Sequence, residues 1–193
     1  HFHLGDGDRG LDMLRRAASE TELPRRTFHP THVNRNPSLW KEAMALTDLG
    51  FTIDITAFPK EGGERSAGEY LAEYFERGLP VEQLTMSSDG GGCLPTFNDE
   101  GVMLKMGIGS SRTLLESIRD ARELGVSLDK LLATCTLNAA SLFRFEGRGQ
   151  LAAGNIADVV VCSNDLKVEA TIAEGQFLVR DSEPVVRGVF EDR

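Results

Sequence analysis

No run of apolar residues in this chain reaches the roughly 20 needed to cross a bilayer, and no basic segment followed by an apolar stretch opens it as a secretory leader would. Cysteine is scarce. Cys93, Cys135 and Cys162 are widely spaced and odd in number, which excludes a disulfide framework and points to reduced thiols in a cytoplasmic setting. Basic residues are outnumbered, 21 Lys and Arg against 30 Asp and Glu, leaving a net charge of −9. That balance argues against nucleic acid or an anionic membrane as partner. An excess of acid also serves ordinary solubility, so it says little about substrate. What remains is a 193-residue chain, 40% hydrophobic and 26% charged, large enough for a real core.

Apolar periodicity alternates between two kinds. Residues 9–20 place Leu11, Leu14 and Ala18 at helical spacing, and residues 37–49 do the same with Leu39, Ala43 and Leu46 between Pro37 and Gly50. Residues 66–77 and 110–124 read as further helices closed by Gly78 and Gly125, and Ser127 caps another to about Leu142. Between them, 28–33, 51–56 and 84–88 read as strands. A Gly/Pro loop follows Thr56, and residues 90–107 are expected to form a long glycine-rich loop. Strand and helix alternate four times, which argues for a parallel α/β sheet amounting to half of an eight-fold barrel. After Gly147 the texture changes to short β-rich runs at 156–162, 168–174 and 176–180, the strands of a separate small sheet. A ligand-bearing strand opens the chain at once at His1, not at Met. The chain is therefore expected to be the C-terminal portion of a longer protein, a processed or tag-derived His1 being the alternative.

The chemistry-bearing residues sit where strands end. His3 lies in His-Phe-His-Leu-Gly-Asp, His32 in His-Pro-Thr-His-Val-Asn-Arg, and Asp89 in Ser-Ser-Asp-Gly-Gly-Gly. Two imidazoles and a carboxylate at successive strand ends are how a metal-dependent hydrolase gathers ligands from distant sequence. His1 shares a strand face with His3, so either both histidines or His3 alone belongs to the site. His29, three residues before His32, is expected on the opposite strand face and is left out. Arg35 at the same exit can grip a carboxylate in bidentate fashion. Asp89 can ligate a metal and accept a proton from metal-bound water. Taken singly, each has a plainer reading: a polar loop histidine, a turn aspartate before glycines. Asp6 and Asp8 read as solvated loop or cap carboxylates, Asp54 as structural, and Cys93 as a pocket-lining thiol.

Phe2-His3-Leu4-Gly5-Asp6, Pro30-Thr31-His32-Val33-Asn34-Arg35-Asn36, Ile53-Asp54-Ile55-Thr56 and Ser87-Ser88-Asp89-Gly90, in this order, resemble the isoaspartyl (β-aspartyl) dipeptidase branch of the amidohydrolase superfamily. The tail, with Gly147-Arg148-Gly149 and Leu151 to Val161, resembles the superfamily's return from barrel to small β-sandwich. The resemblance covers essentially the whole chain. It implies that residues 1–146 are the second half of a TIM-like (β/α)8 metal-dependent hydrolase barrel, strands five to eight, and that 147–193 complete part of the sandwich.

It further implies a site with two zinc ions. His3 and His32 would bind the more exposed ion. Asp89 would bind the other and act as general base and proton shuttle, and Arg35 would hold a substrate carboxylate. The implied reaction is attack of a zinc-bound hydroxide on the isopeptide carbonyl of a β-aspartyl dipeptide, in a homo-oligomeric enzyme. His1 matches no ligand in that pattern. Cys93 stands where the family usually has a serine that helps hold a substrate carboxylate, and a thiol is the weaker hydrogen-bond partner. The first-strand His-x-His and the carboxylated lysine belong to the other half of the barrel, so the chain alone is expected to be inactive and prone to aggregate. Another amidohydrolase, dihydroorotase-like or acting on N-acyl amino acids, fits the same residues, and a non-catalytic protein of the same fold is the remaining alternative.

Overall fold

Four short parallel strands carry the first part of the chain. In the computed structural model, which describes residues 1–59, 65–98 and 100–188, β1 (Phe2–His3) pairs with β2 (Pro30–Thr31), and β3 (Ile53–Thr56) pairs with β4 (Leu84–Ser87), both in parallel. β2 and β3 run side by side. The Val33 amide donates to the Asp54 carbonyl at 3.3 Å, and the Asn34 side chain exchanges two 2.9 Å bonds with the Thr56 backbone. Helices α1 (Asp12–Glu20), α2 (Pro37–Thr47) and α3 (Ala67–Glu76) alternate with these strands, as the sequence periodicity predicts. All four residues of β3 are buried, the expected state of a parallel strand covered on both faces. Its apolar side, Ile53 and Ile55, packs into the core with Leu84 and Met86 buried on β4; its polar side, Asp54 and Thr56, is buried too, as is Thr52 just before the strand. Chain alternation there separates two interiors, an apolar one and a polar one.

Local chemistry fixes the helix starts. The Asn36 side chain accepts from the Leu39 amide at 2.9 Å and Pro37 fills the first turn of α2. Ser66 and Glu69 form a reciprocal capping box at the start of α3. Helix α4 (Thr113–Glu123) lies against α3 so closely that a Cβ on Gly68 would meet Asp120 Cβ at 2.5 Å, which accounts for a glycine inside a helix. Helix α5 (Leu128–Cys135) ends this unit, and the chain divides into two compact units between Cys135 and Thr136. The helix expected from Ser127 to about Leu142 is interrupted there. Thr136 leaves helical geometry, with φ −124° and ψ −89°, and α6 (Leu137–Phe143) starts afresh.

The glycine-rich segment is not the irregular loop expected. It forms a hairpin, β5 (Cys93–Phe97) against β6 (Met103–Ile108). The turn signal is Asn98, whose side-chain oxygen accepts from the amides of Glu100 and Val102 at 3.1 and 2.8 Å. Pro95 is tolerated because a two-stranded hairpin has free edges. In the second unit, β7 (Val159–Cys162), β8 (Val168–Ala173), β9 (Gln176–Arg180) and β10 (Glu183–Pro184) form one antiparallel sheet in the order β10–β9–β8–β7. The Gly/Pro loop expected after Thr56 lies largely outside the described residues. Among the described residues there is no closed barrel, and no helix is long and apolar enough to cross a membrane.

One ion-pair network ties α2 to α3. Glu73 accepts from Trp40 Nε1 at 2.9 Å and pairs with Arg65 and Arg77, each at 2.6 Å. Burial alone would raise the Glu73 carboxyl; the bonds from Trp40, Arg65 and Arg77 outweigh it and hold the group at about 2. A carboxyl depressed in the folded state stabilises the fold above its ordinary value near 4.5, and that contribution fades as pH falls toward 2. Glu73→Gln is therefore expected to cost roughly 1–3 kcal/mol at neutral pH. The difference from the parent should close as the pH of urea unfolding is lowered from 4.5 to 2.

Candidate functional site

His3, His32 and Asp89 stand at the C-terminal ends of β1, β2 and β4. Two of them leave their strands in the left-handed region, His32 at φ 63° and Asp89 at φ 49°. That conformation costs most L-residues about 1 kcal/mol or more, His and Asp being among the better tolerated. It turns the side chain away from the direction strand alternation would give.

The turn at His32 brings the two imidazoles together. His3 Nδ1 faces His32 Nε2 at 2.9 Å, with ring centroids 4.9 Å apart. His32 Nδ1 lies 2.7 Å from Thr56 Oγ1, so its orientation is set from β3. His32 is only 7% exposed. Burial lowers its pKa; the Asp89 carboxylate pulls it back up, His3 and Arg35 push it down, and Asp54 opposes them. The result favours neutral imidazole, the form that binds a metal. A ring nitrogen fixed by an outer partner while its twin faces a second histidine is a donor set that suits zinc. Among the described residues, however, no three His, Cys, Asp or Glu side chains converge as a group able to hold an ion. The structure thus joins the histidine pair and leaves Asp89 outside ligating contact with it.

The glycines after Asp89 serve Asp89 itself. The Gly92 amide donates to the Asp89 carbonyl at 2.9 Å, and a Cβ on Gly92 would meet Asp89 Oδ1 at 2.8 Å. A Cβ on Gly109, at the far end of the hairpin, would strike the Asp89 carbonyl oxygen. The hairpin closes around this residue, with Gly91 and Gly92 each bonded to Gly109 at 2.9 Å. Cys93 begins β5 opposite Ile108 as an exposed free thiol.

Arg35 is engaged from within the chain. Its Nη2 donates to Asp6 Oδ2 at 2.9 Å and its Nε reaches both Asp6 oxygens at 3.3 and 3.4 Å, while Asn36 Nδ2 donates to Oδ1 at 3.2 Å. Asp6 is therefore not a merely solvated loop carboxylate. The signal was present in the sequence, since Asp6 follows His3 at the strand exit as Arg35 follows His32. His29 also departs from expectation. It is buried at 3% exposure, with its ring 5.0 Å from that of His1, which in turn lies 5.0 Å from that of His3. Because His32 leaves the strand in the left-handed region, the alternation that set His29 on another face does not hold between them. His29 approaches the Thr52 carbonyl and Thr85 Oγ1, each at 3.2 Å. All four histidines of the chain thus form one run of neighbouring rings, His29, His1, His3, His32.

Residues 69–178, more than half of the chain, match the amidohydrolase family. The β-aspartyl dipeptidase of the thermophilic, keratin-degrading Fervidobacterium islandicum AW-1, solved in complex with a β-Asp-Leu dipeptide, is similar at 31% identity and a TM-score of 0.88. The match covers 98% of this chain and 49% of that one. A second structure of the dipeptidase from the same organism is similar at 29% identity and a TM-score of 0.83, covering 98% and 47%. The N-acetylglucosamine-6-phosphate deacetylase of Pasteurella multocida shares the fold alone, at 17% identity and a TM-score of 0.63 over 92% of this chain and 50% of its own. The chain spans about half the length of these relatives.

The Arg35 guanidinium holds the Asp6 carboxyl below its ordinary value, opposed by slight burial and helped by Asn36. Arg35→Met should return the Asp6 carboxyl toward the ordinary aspartate range in a carbon-detected NMR titration. An Asp6 value unmoved by that substitution would show that the pair does not persist in solution.

Proposed function

This chain belongs to the amidohydrolase family, and from that membership we propose that it forms the second half of a zinc-dependent β-aspartyl dipeptidase, which hydrolyses the isopeptide bond of β-aspartyl dipeptides. Its fold class is α/β: the C-terminal half of a TIM-like hydrolase barrel with strands of a small β-sandwich. We assign 1–146 to the barrel half and 147–193 to the sandwich. The observation that carries the reading is the His3–His32 pair, two ring nitrogens 2.9 Å apart at adjacent strand ends. It is supported by similarity across 98% of the chain to a dipeptidase solved with β-Asp-Leu.

In this reading His3 and His32 hold one zinc ion and Asp89 the other. The remaining ligands, a carboxylated lysine among them, come from outside this chain. Bound zinc supplies Lewis-acid polarisation of the scissile carbonyl and acidifies water at neutral pH. Asp89 takes up the proton and returns it to the leaving amine. Thr56 keeps His32 turned toward His3. Arg35 binds a substrate carboxylate, exchanging the Asp6 carboxylate for that of the dipeptide in the same bidentate grip. Cys93, in place of the family's serine, offers that carboxylate a weaker donor and shifts preference among dipeptides. The enzyme works as a homo-oligomer on a small substrate, without nucleic acid or membrane. Three free cysteines support a reducing, cytoplasmic setting.

The test is turnover by the zinc-loaded full-length protein of β-Asp-Leu, N-acyl amino acids and dihydroorotate, the last two because Arg35 would grip their carboxylates equally well. β-Asp-Leu should be preferred. A chelator should abolish hydrolysis and zinc restore it, and Asp89→Asn should lower kcat by about 10²–10⁴. Preference for another substrate would reassign the enzyme within the family, and chelator-resistant hydrolysis would remove the metal from the reading. Residues 1–193 alone, with only three of the ligating side chains, should show no β-aspartyl dipeptide turnover.

A further inference from the structure

Asp54 is 2% exposed and lies at the centre of the polar interior of the sheet. Three hydroxyls converge on its carboxylate, each at 2.6 Å: Thr31 Oγ1 and Ser87 Oγ donate to Oδ2, and Thr85 Oγ1 donates to Oδ1. Contacts this short are those of hydroxyls bound to a charged acceptor. The donors come from two different strands flanking the one that carries Asp54. Thr31 on β2 immediately precedes His32, and Ser87 on β4 stands two residues before Asp89. A single oxygen, Oδ2, therefore ties together the strand ends that present the candidate ligands.

We propose that Asp54 is the positioning residue of the candidate zinc site: its buried carboxylate fixes the exits of β2 and β4, and so the placement of His32 and Asp89. The proposal rests on the metal reading given above. No contact between Asp54 and substrate is implied, and the role is exerted through Thr31 and Ser87. Outer partners of metal ligands, when removed, typically weaken metal binding by about 10–100-fold. Asp54 differs from the usual case in acting on two ligands through one atom and in carrying charge.

The experiment measures zinc affinity of the full-length protein by competition with a chromophoric chelator, alongside thermal unfolding of the zinc-free form. Asp54→Asn keeps the volume of the side chain and removes its charge. It is expected to weaken zinc binding about ten-fold or more. Ser87→Ala, a small truncation at a half-buried site, cuts the Oδ2 bond at the end of β4, next to Asp89, while Thr85 keeps its bond to Oδ1, and is expected to weaken zinc binding several-fold. A folded Asp54→Asn protein that binds zinc like the parent overturns the proposal, even if it unfolds at lower temperature, because a purely structural residue would give that result. If Asp54→Asn does not fold, Ser87→Ala decides in the same way: weaker binding supports the role and parental affinity overturns it. If the unsubstituted protein binds no zinc, the metal reading itself falls, a result distinct from equal affinities of parent and variant.

Discussion

A carboxylate buried in the middle of a sheet is the constraint around which this half of the fold is organised. Removing an unpaired carboxylate from water costs several kcal/mol. Asp54 offsets that cost only because Thr31, Thr85 and Ser87 present their hydroxyls to it from the two neighbouring strands. The arrangement exists in one register. Because side chains alternate, a slip by one residue would turn Asp54 onto the apolar side occupied by Ile53 and Ile55 and send an isoleucine among the hydroxyls. The strands are two to four residues long, so backbone bonds alone specify register weakly. The buried charge penalises every alternative pairing, and every strand exit downstream inherits the register it selects.

At those exits the chain departs from strand geometry, and that departure makes the site. Extended backbone at His32 would point its ring as strand alternation dictates. The left-handed turn instead brings it to 2.9 Å from His3 and leaves its other nitrogen on Thr56. At Asp89 the same turn is held by the hairpin closing through Gly91, Gly92 and Gly109. Conformations of this kind persist only where the surroundings over-determine them, and they concentrate at functional positions. The bonds between the Asn34 side chain and the Thr56 backbone, and the backbone bonds between Gly109 and the Gly91–Gly92 pair, are the surroundings that do so here.

Much of this was legible in the amino-acid sequence. Helical spacing at Leu14 and Ala18, and at Leu39, Ala43 and Leu46, located α1 and α2, because apolar periodicity reflects which face packs. The order of strands and helices gave the parallel sheet, and the strand-end histidines gave the pair. The hairpin at 93–108 was hidden because its signal, Asn98, sits among glycines that read equally as loop. The break at Thr136 was hidden because nothing in the apolar pattern distinguishes one long helix from two in series. His29 was misplaced by applying period-two alternation through His32, a residue whose backbone breaks that period. The role of Asp54 was out of reach for a different reason. A carboxylate alternating with threonines on a strand ordinarily marks a solvated face, and only the parallel sheet, covered on both sides, makes that face an interior.

The electrostatics around His32 connect the scaffold to the chemistry. Burial holds the ring neutral, Asp89 and Asp54 both favour a positive charge at its position, and His3 and Arg35 oppose one. Arg35 is the one permanent cation in that group, and its charge is spent largely on Asp6 at 2.9 Å. Two carboxylates thus bear on a buried His32 ring that burial holds toward its neutral form. Around the buried His32 ring such an imbalance is relieved either by protonating the ring, which burial resists, or by binding a cation that a ring nitrogen can ligate. The second solution satisfies the ring nitrogens and the carboxylates together. Because Arg35 is already matched to Asp6, its guanidinium weighs little in that balance.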